Sequence, residues 1–142
     1  MDWNEFETDV FQAAKRLFSK VMNENKDSKF YAFALYTDSD CFTVIPAANT
    51  LEAYEEKIAS ENVNDPMDLA YYKWSTSEWK FEIGGDEKLN GVNKKLRAQS
   101  LQAAEKGVFE EFKKQMHSSM INALLLLKNS DCFEGVLTFC CL

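Results

Sequence analysis

The sequence predicts one α+β domain spanning residues 1–142, with a mainly antiparallel sheet of about four strands and helices packed largely on one face. Three observations predict it. The length suits a single hydrophobic core. Apolar residues recur at helical spacing in some stretches and as short aromatic and β-branched runs in others. Five Gly, two Pro and an ordinary 46% hydrophobic content argue for a packed chain rather than a disordered one.

The first helix is read from Trp3, Phe6, Val10, Ala14, Leu17, Phe18, Val21 and Met22, a spacing held for about five turns. Asp2 with Glu5 three residues later suits a capping arrangement, and acid in the first turn complements the helix dipole. Phe30 to Tyr36 and Cys41 to Ala47 are strand-like runs separated by Thr37-Asp38-Ser39-Asp40, which predicts a hairpin. Asn49 followed by Glu52 offers a second helix start, and Leu51, Tyr54, Ile58 and Ala59 form its expected buried stripe to about Ser60.

Asn64-Asp65-Pro66 ends that helix, because proline lacks a backbone donor and disfavours helical geometry before it. The aromatic run Leu69 to Trp74 then fits a third strand, and Ser75 to Glu78 fits a turn or cap leading into Trp79. After Gly84-Gly85, residues Leu89, Val92 and Leu96 predict a further helix. Val108 to Leu127 predicts a longer one whose carboxyl half is buried nearly all round. Gly135 to Leu142 reads as a last strand, with a central place in the sheet one option.

Charge is unevenly spread. Residues 1–90 hold 18 Asp and Glu against 9 Lys and Arg, whereas residues 91–142 hold 5 against 7. Such a bias repels nucleic acid and anionic membrane and steers cationic protein surfaces into contact. Glu52, Glu55, Glu56, Glu61, Asp65 and Asp68 are either a landing patch for basic side chains or a solvated face that maintains solubility. Trp74 and Trp79 belong to a core or to an interface, with one of the two expected inside. The candidate partner-binding residues are therefore Glu52, Glu55, Glu56, Asp65, Asp68, Trp74 and Trp79.

Catalytic and metal chemistry finds little support. His117 is the single histidine, mid-helix beside Ser118 and Ser119, and nothing near it resembles a nucleophile elbow. Asp38-Ser39-Asp40 begins like a calcium loop but lacks glycine at the sixth position and has Asn49 at the twelfth, so a solvated turn is the better reading. Cysteines 41, 132, 140 and 141 show no zinc spacing and read as small apolar residues in a reducing compartment. We expect no enzyme activity, no cofactor, no metal, no nucleic-acid or membrane partner, and a cytoplasmic location, since no apolar run approaches the roughly 20 residues of a membrane span.

Two stretches carry a resemblance. One is Tyr36–Thr50, containing Asp38-Ser39-Asp40 and ending in Asn49-Thr50. The other is Tyr71–Trp79, in which Trp74 and Trp79 flank Ser75-Thr76-Ser77-Glu78. Together they resemble a family of small, acidic bacterial proteins of uncharacterised biochemistry whose genes often lie in polymorphic-toxin or contact-dependent inhibition loci. The resemblance covers roughly residues 1–140 and brings no catalytic residue. It implies an immunity protein that binds and neutralises a cognate toxin domain with a basic surface, a nuclease among the options. From the residues alone, a non-catalytic adaptor or scaffold domain is the alternative, and a small enzyme the third.

Overall fold

The structure, a computed structural model, describes residues 1–133 and the backbone of 139–141. It is a mixed α+β fold. Helices α1 (Trp3–Glu24), α4 (Glu87–Glu105) and α5 (Phe109–Lys128) are long, and α2 (Leu51–Ser60) and α3 (Pro66–Trp74) are short. Strands β1 (Phe30–Tyr36), β2 (Ile45–Thr50), β3 (Phe81–Glu82) and β4 (Phe139–Cys141) lie in the order β3-β2-β1-β4. The antiparallel part has three strands, and β4 adds in parallel to β1 at the edge. The last strand is therefore not central, and the rest of the predicted Gly135 to Leu142 strand lies outside the described residues.

Alternation along β1 and β2 sorts the core into two parts. Phe33, Leu35 and Ala48 face the main core, where they meet Phe18 of α1, Leu96 of α4 and Met116, Met120 and Leu127 of α5. Phe18, Phe33 and Phe133 form a ring cluster there with centroids 4.7 to 5.7 Å apart. Ala32, Ala34 and Ala47 face the other way and pack with Trp79, Tyr31 and Tyr36. The three long helices share the first face, and α2 and α3 reach the second through Tyr31.

Ion pairs tie α1 to α4. Glu5 meets Lys95 at 3.0 Å, Asp9 meets Lys88 at 2.8 Å, and Arg16 meets Asp86, which also caps α4 by accepting from Leu89 N–H. Asp9 and Asp86 are largely covered, but every cation of the three pairs stays about half exposed, and pairs screened by solvent in this way contribute about 1 kcal/mol or less each. Their larger consequence is that much of the acid in α1 is matched within the molecule.

Several predicted elements are corrected. Leu69 to Trp74 is helix α3, not a strand: Asp65 caps it through Met67 and Asp68 N–H, and Pro66 occupies the first helical position, where its missing donor costs nothing. The second strand is Ile45–Thr50 rather than Cys41 to Ala47, so the β1–β2 connection is longer than a tight turn. Thr50, not Asn49, caps α2 by accepting from Ala53 N–H. No residue of α2 is fully buried, and Ala59 is exposed, so its stripe is only half covered. In α5, Ile121, Leu125 and Leu126 are each about half exposed, so its carboxyl half is not buried all round.

Candidate functional site

The acidic surface is built on the α2–α3 pair. Between Leu51 and Trp74 the chain holds six acids and two lysines, and both lysines are engaged internally. Lys57 lies 3.4 Å from Glu61 and 3.5 Å from Glu78, 5.8 Å above the Tyr72 ring. Partial burial pulls its ammonium pKa down, and those carboxylates outweigh the effect and raise it. Lys73 lies over aromatic rings and pairs with no acid among the described residues. The negative charge of this pair is thus less compensated than that of α1.

The structure divides the predicted acids by role. Glu52 accepts Lys29 N–H at 3.0 and 3.2 Å. Its own N–H and that of Lys29 hold its carboxyl below the ordinary range. With Lys29 O accepting from Leu51 N–H, Glu52 fastens the α1–β1 linker to the start of α2. Asp65 is spent on the α3 cap. The carboxylates of Glu55, Glu56 and Asp68 are exposed and make no hydrogen bond or ion pair among the described residues. Glu56 also lines a shallow groove of about 330 Å³ with Ala53, Lys57, Ser60, Glu78 and Lys80.

Apolar surface accompanies that charge. Met67, Tyr71 and Trp74 are 82%, 54% and 39% exposed, and their spacing along α3 places them on one stripe of the helix. Tyr71 Oη reaches Glu78 at 3.5 Å, extending the stripe toward the following 3-10 turn, Thr76–Glu78. Large apolar side chains side by side on an acidic surface are an unusual use of exposed area. Met67 and Tyr71 carry this feature, and neither was among the predicted contacts: residues 69–74, with Tyr71, were read as a strand, and Asn64-Asp65-Pro66 just before Met67 was read only as a helix end.

The two tryptophans separate. Trp74 stays at the surface, whereas Trp79 is 7% exposed and donates its indole N–H to Lys73 O at 3.0 Å. Trp79 is therefore corrected from a candidate contact to a support under the α3 carboxyl end. Asp38, read from sequence as part of a solvated turn, instead organises the β1–β2 connection, accepting from the N–H groups of Asp40, Phe42 and Thr43 and from the Thr43 hydroxyl.

Residues 10–138 match the model of the family described as "Domain of unknown function (DUF4303)". The chain belongs to the DUF4303 family. No curated protein and no solved structure matches it. The DUF4303 segment begins within α1 at Val10 and includes all of β1, α2 and α3, so the acidic and aromatic surface lies wholly inside it. Among the described residues, no group of three His, Cys, Asp or Glu is placed to hold a metal, and no helix is long and apolar enough to cross a membrane. His117 is half-buried on α5, an element separate from the α2–α3 surface.

Proposed function

We propose that this DUF4303 chain works by stoichiometric binding to a protein with a basic surface, as an immunity protein that neutralises a cognate toxin domain. The observation that carries the reading is the exposed Met67, Tyr71 and Trp74 stripe on a helix pair whose acids outnumber its available cations. Aromatic and Met side chains supply contact area at the centre of interfaces, and surrounding charge speeds and orients encounter. The toxin link rests on the resemblance carried by Tyr36–Thr50 and Tyr71–Trp79 and on the suitability of fast, steered association for blocking a lethal partner.

Calorimetry against the carboxyl-terminal domain of the protein encoded immediately upstream tests it. One-to-one binding that weakens between low and high salt is the expected result, and no binding to that folded domain counts against it. Glu55→Lys combined with Glu56→Lys should slow association roughly tenfold at low salt. Folding stability should change by less than about 0.5 kcal/mol, since neither side chain supports another element. An unchanged association rate with unchanged salt dependence would remove these residues from the interface.

A second reading, an adaptor or scaffold domain that includes a homodimer, draws on the apolar outer side of α5. Sedimentation of the wild type as a dimer, converted to a monomer by Ile121→Asp with Leu125→Asp, would favour it over toxin binding.

A further inference from the structure

We propose that Tyr31, Tyr54 and Trp74 form a cation-binding box for a basic side chain of the protein partner, occupied in the free protein by the chain's own Lys73. The Lys73 Nζ lies 5.9 Å from the Tyr31 centroid, 5.9 Å from Tyr54 and 5.5 Å from Trp74. These distances are within the range where a ring face attracts a cation, and several rings around one ammonium are how aromatic cages recognise such groups. Tyr31 meets both neighbours in edge-to-face fashion, at 66° to Tyr54 with centroids 6.3 Å apart and at 81° to Trp74 with centroids 5.8 Å apart. The three rings therefore make walls rather than a stack.

Two of the walls, Tyr31 and Tyr54, are held by hydrogen bonds before any ligand arrives. Tyr31 Oη donates to Lys73 O at 2.7 Å and accepts from Asn49 Nδ2 at 3.0 Å. Asn49 is itself buried, and its Oδ1 accepts Lys80 N–H. Tyr54 Oη donates to Leu69 O, and the Trp79 indole donates to the same Lys73 carbonyl. Two donors thus pin the Lys73 backbone while its flexible four-carbon stem carries the ammonium across the rings. The side chain can withdraw without moving the helix. Preorganised rings spare an incoming cation the cost of ordering them.

Charge decides which occupant fits. The box takes a cation already, its Trp74 wall is exposed, and it lies on the helix pair with excess acid. An arginine or lysine from a partner can exchange with Lys73, and Lys73 acts as a competitor that lowers the affinity of weak partners. The occupant assigned here rests on the proposed binding function, whereas the box itself can be probed without a partner.

The test follows the indole N–H resonances of Trp3, Trp74 and Trp79 in the full chain. Wild type and Lys73→Met are titrated with Nα-acetyl-arginine methylamide, Nα-acetyl-lysine methylamide and tetramethylammonium chloride, each against sodium chloride of equal ionic strength. The expected result is a saturable shift of Trp74 with an arginine or lysine amide, at several-fold lower concentration in Lys73→Met than in wild type, while Trp3 stays still. Adding Tyr54→Leu should raise half-saturation roughly threefold, the effect of losing one ring. Lys73→Gln repeats the measurement with a different neutral side chain. Responses in both neutral variants equal to those of sodium chloride overturn the box, and a response to tetramethylammonium alone overturns the assignment to a protein side chain. Failure of the upstream domain to bind wild type strikes the proposed function instead, and leaves these titrations readable.

Discussion

Replacing Trp79 with alanine is expected to lower the unfolding free energy by about 3 to 5 kcal/mol, the cost of deleting a large buried aromatic side chain. Trp79 packs on the floor made by Ala32, Ala34 and Ala47, whose methyl groups are too short to fill the space an indole leaves. Its N–H also holds Lys73 O, so the carboxyl end of α3 loses an anchor. Trp74→Ala should cost less than about 1 kcal/mol, because that ring is 39% exposed and leaves no enclosed cavity. Urea unfolding at neutral pH separates the two, and the partner assay should reverse the ranking: Trp74→Ala folds normally and binds weakly. Equal unfolding midpoints for the two variants would mean that Trp79 is not the support described here.

The long helices were legible because their burial is one-sided and sustained. Phe6, Val10, Leu17 and Phe18 in α1, and Leu89, Val92 and Leu96 in α4, occupy the predicted stripe and are buried. The α2–α3 pair was harder to read because neither helix contains a fully buried residue, so periodicity was weak. Leu69 to Trp74 looked like a strand because its rings serve a surface and a ring box rather than a core stripe. The decisive local signal was Asp65-Pro66, an N-cap followed by the first helical position; read only as a stop, it was also a start. In α5, the apolar spacing of Val108 to Leu127 suggested a carboxyl half buried nearly all round, yet a helix against one sheet face buries only the side toward it, and Leu125 and Leu126 point elsewhere.

The site was legible as charge and not as geometry. Sequence spacing gathers Glu52, Glu55, Glu56, Asp65 and Asp68, but only the fold shows that Glu52 holds Lys29 N–H and Asp65 caps α3. The ring box was beyond sequence reasoning, since Tyr31, Tyr54 and Trp74 lie on β1, α2 and α3 and meet only after the sheet and helix pair have formed. Likewise, the net charge of residues 1–90 did not reveal that α4 lysines match the acids of α1.

Asp38→Ala is expected to cost about 2 to 3 kcal/mol near neutral pH, with Asp38→Asn costing less because an amide oxygen retains part of the acceptor capacity. The carboxylate accepts from Asp40 N–H at 3.0 Å, Phe42 N–H at 3.1 Å, Thr43 N–H at 3.0 Å and the Thr43 hydroxyl at 2.7 Å. These bonds shape a segment in which Cys41 adopts a φ of 55°, and which delivers Cys41 and Val44 to the core. Partial burial would raise the Asp38 pKa, but the Thr43 hydroxyl and the backbone donors outweigh it and hold the value below the ordinary range. A carboxyl depressed in the folded state stabilises the fold fully above its unfolded pKa of about 3.9, and that contribution is lost as pH falls through the folded value. The stability gap between wild type and Asp38→Asn should therefore hold from pH 7 to about pH 5 and narrow as pH falls below about 4. Comparing the variant with wild type at each pH cancels the acid sensitivity both share through Asp86 and Glu52, whose carboxyls are also depressed. Urea midpoints at pH 7, 5 and 3.5 give the measurement. A gap that stayed constant to the lowest pH would show that the loop recognises the shape of the Asp38 side chain rather than its charge.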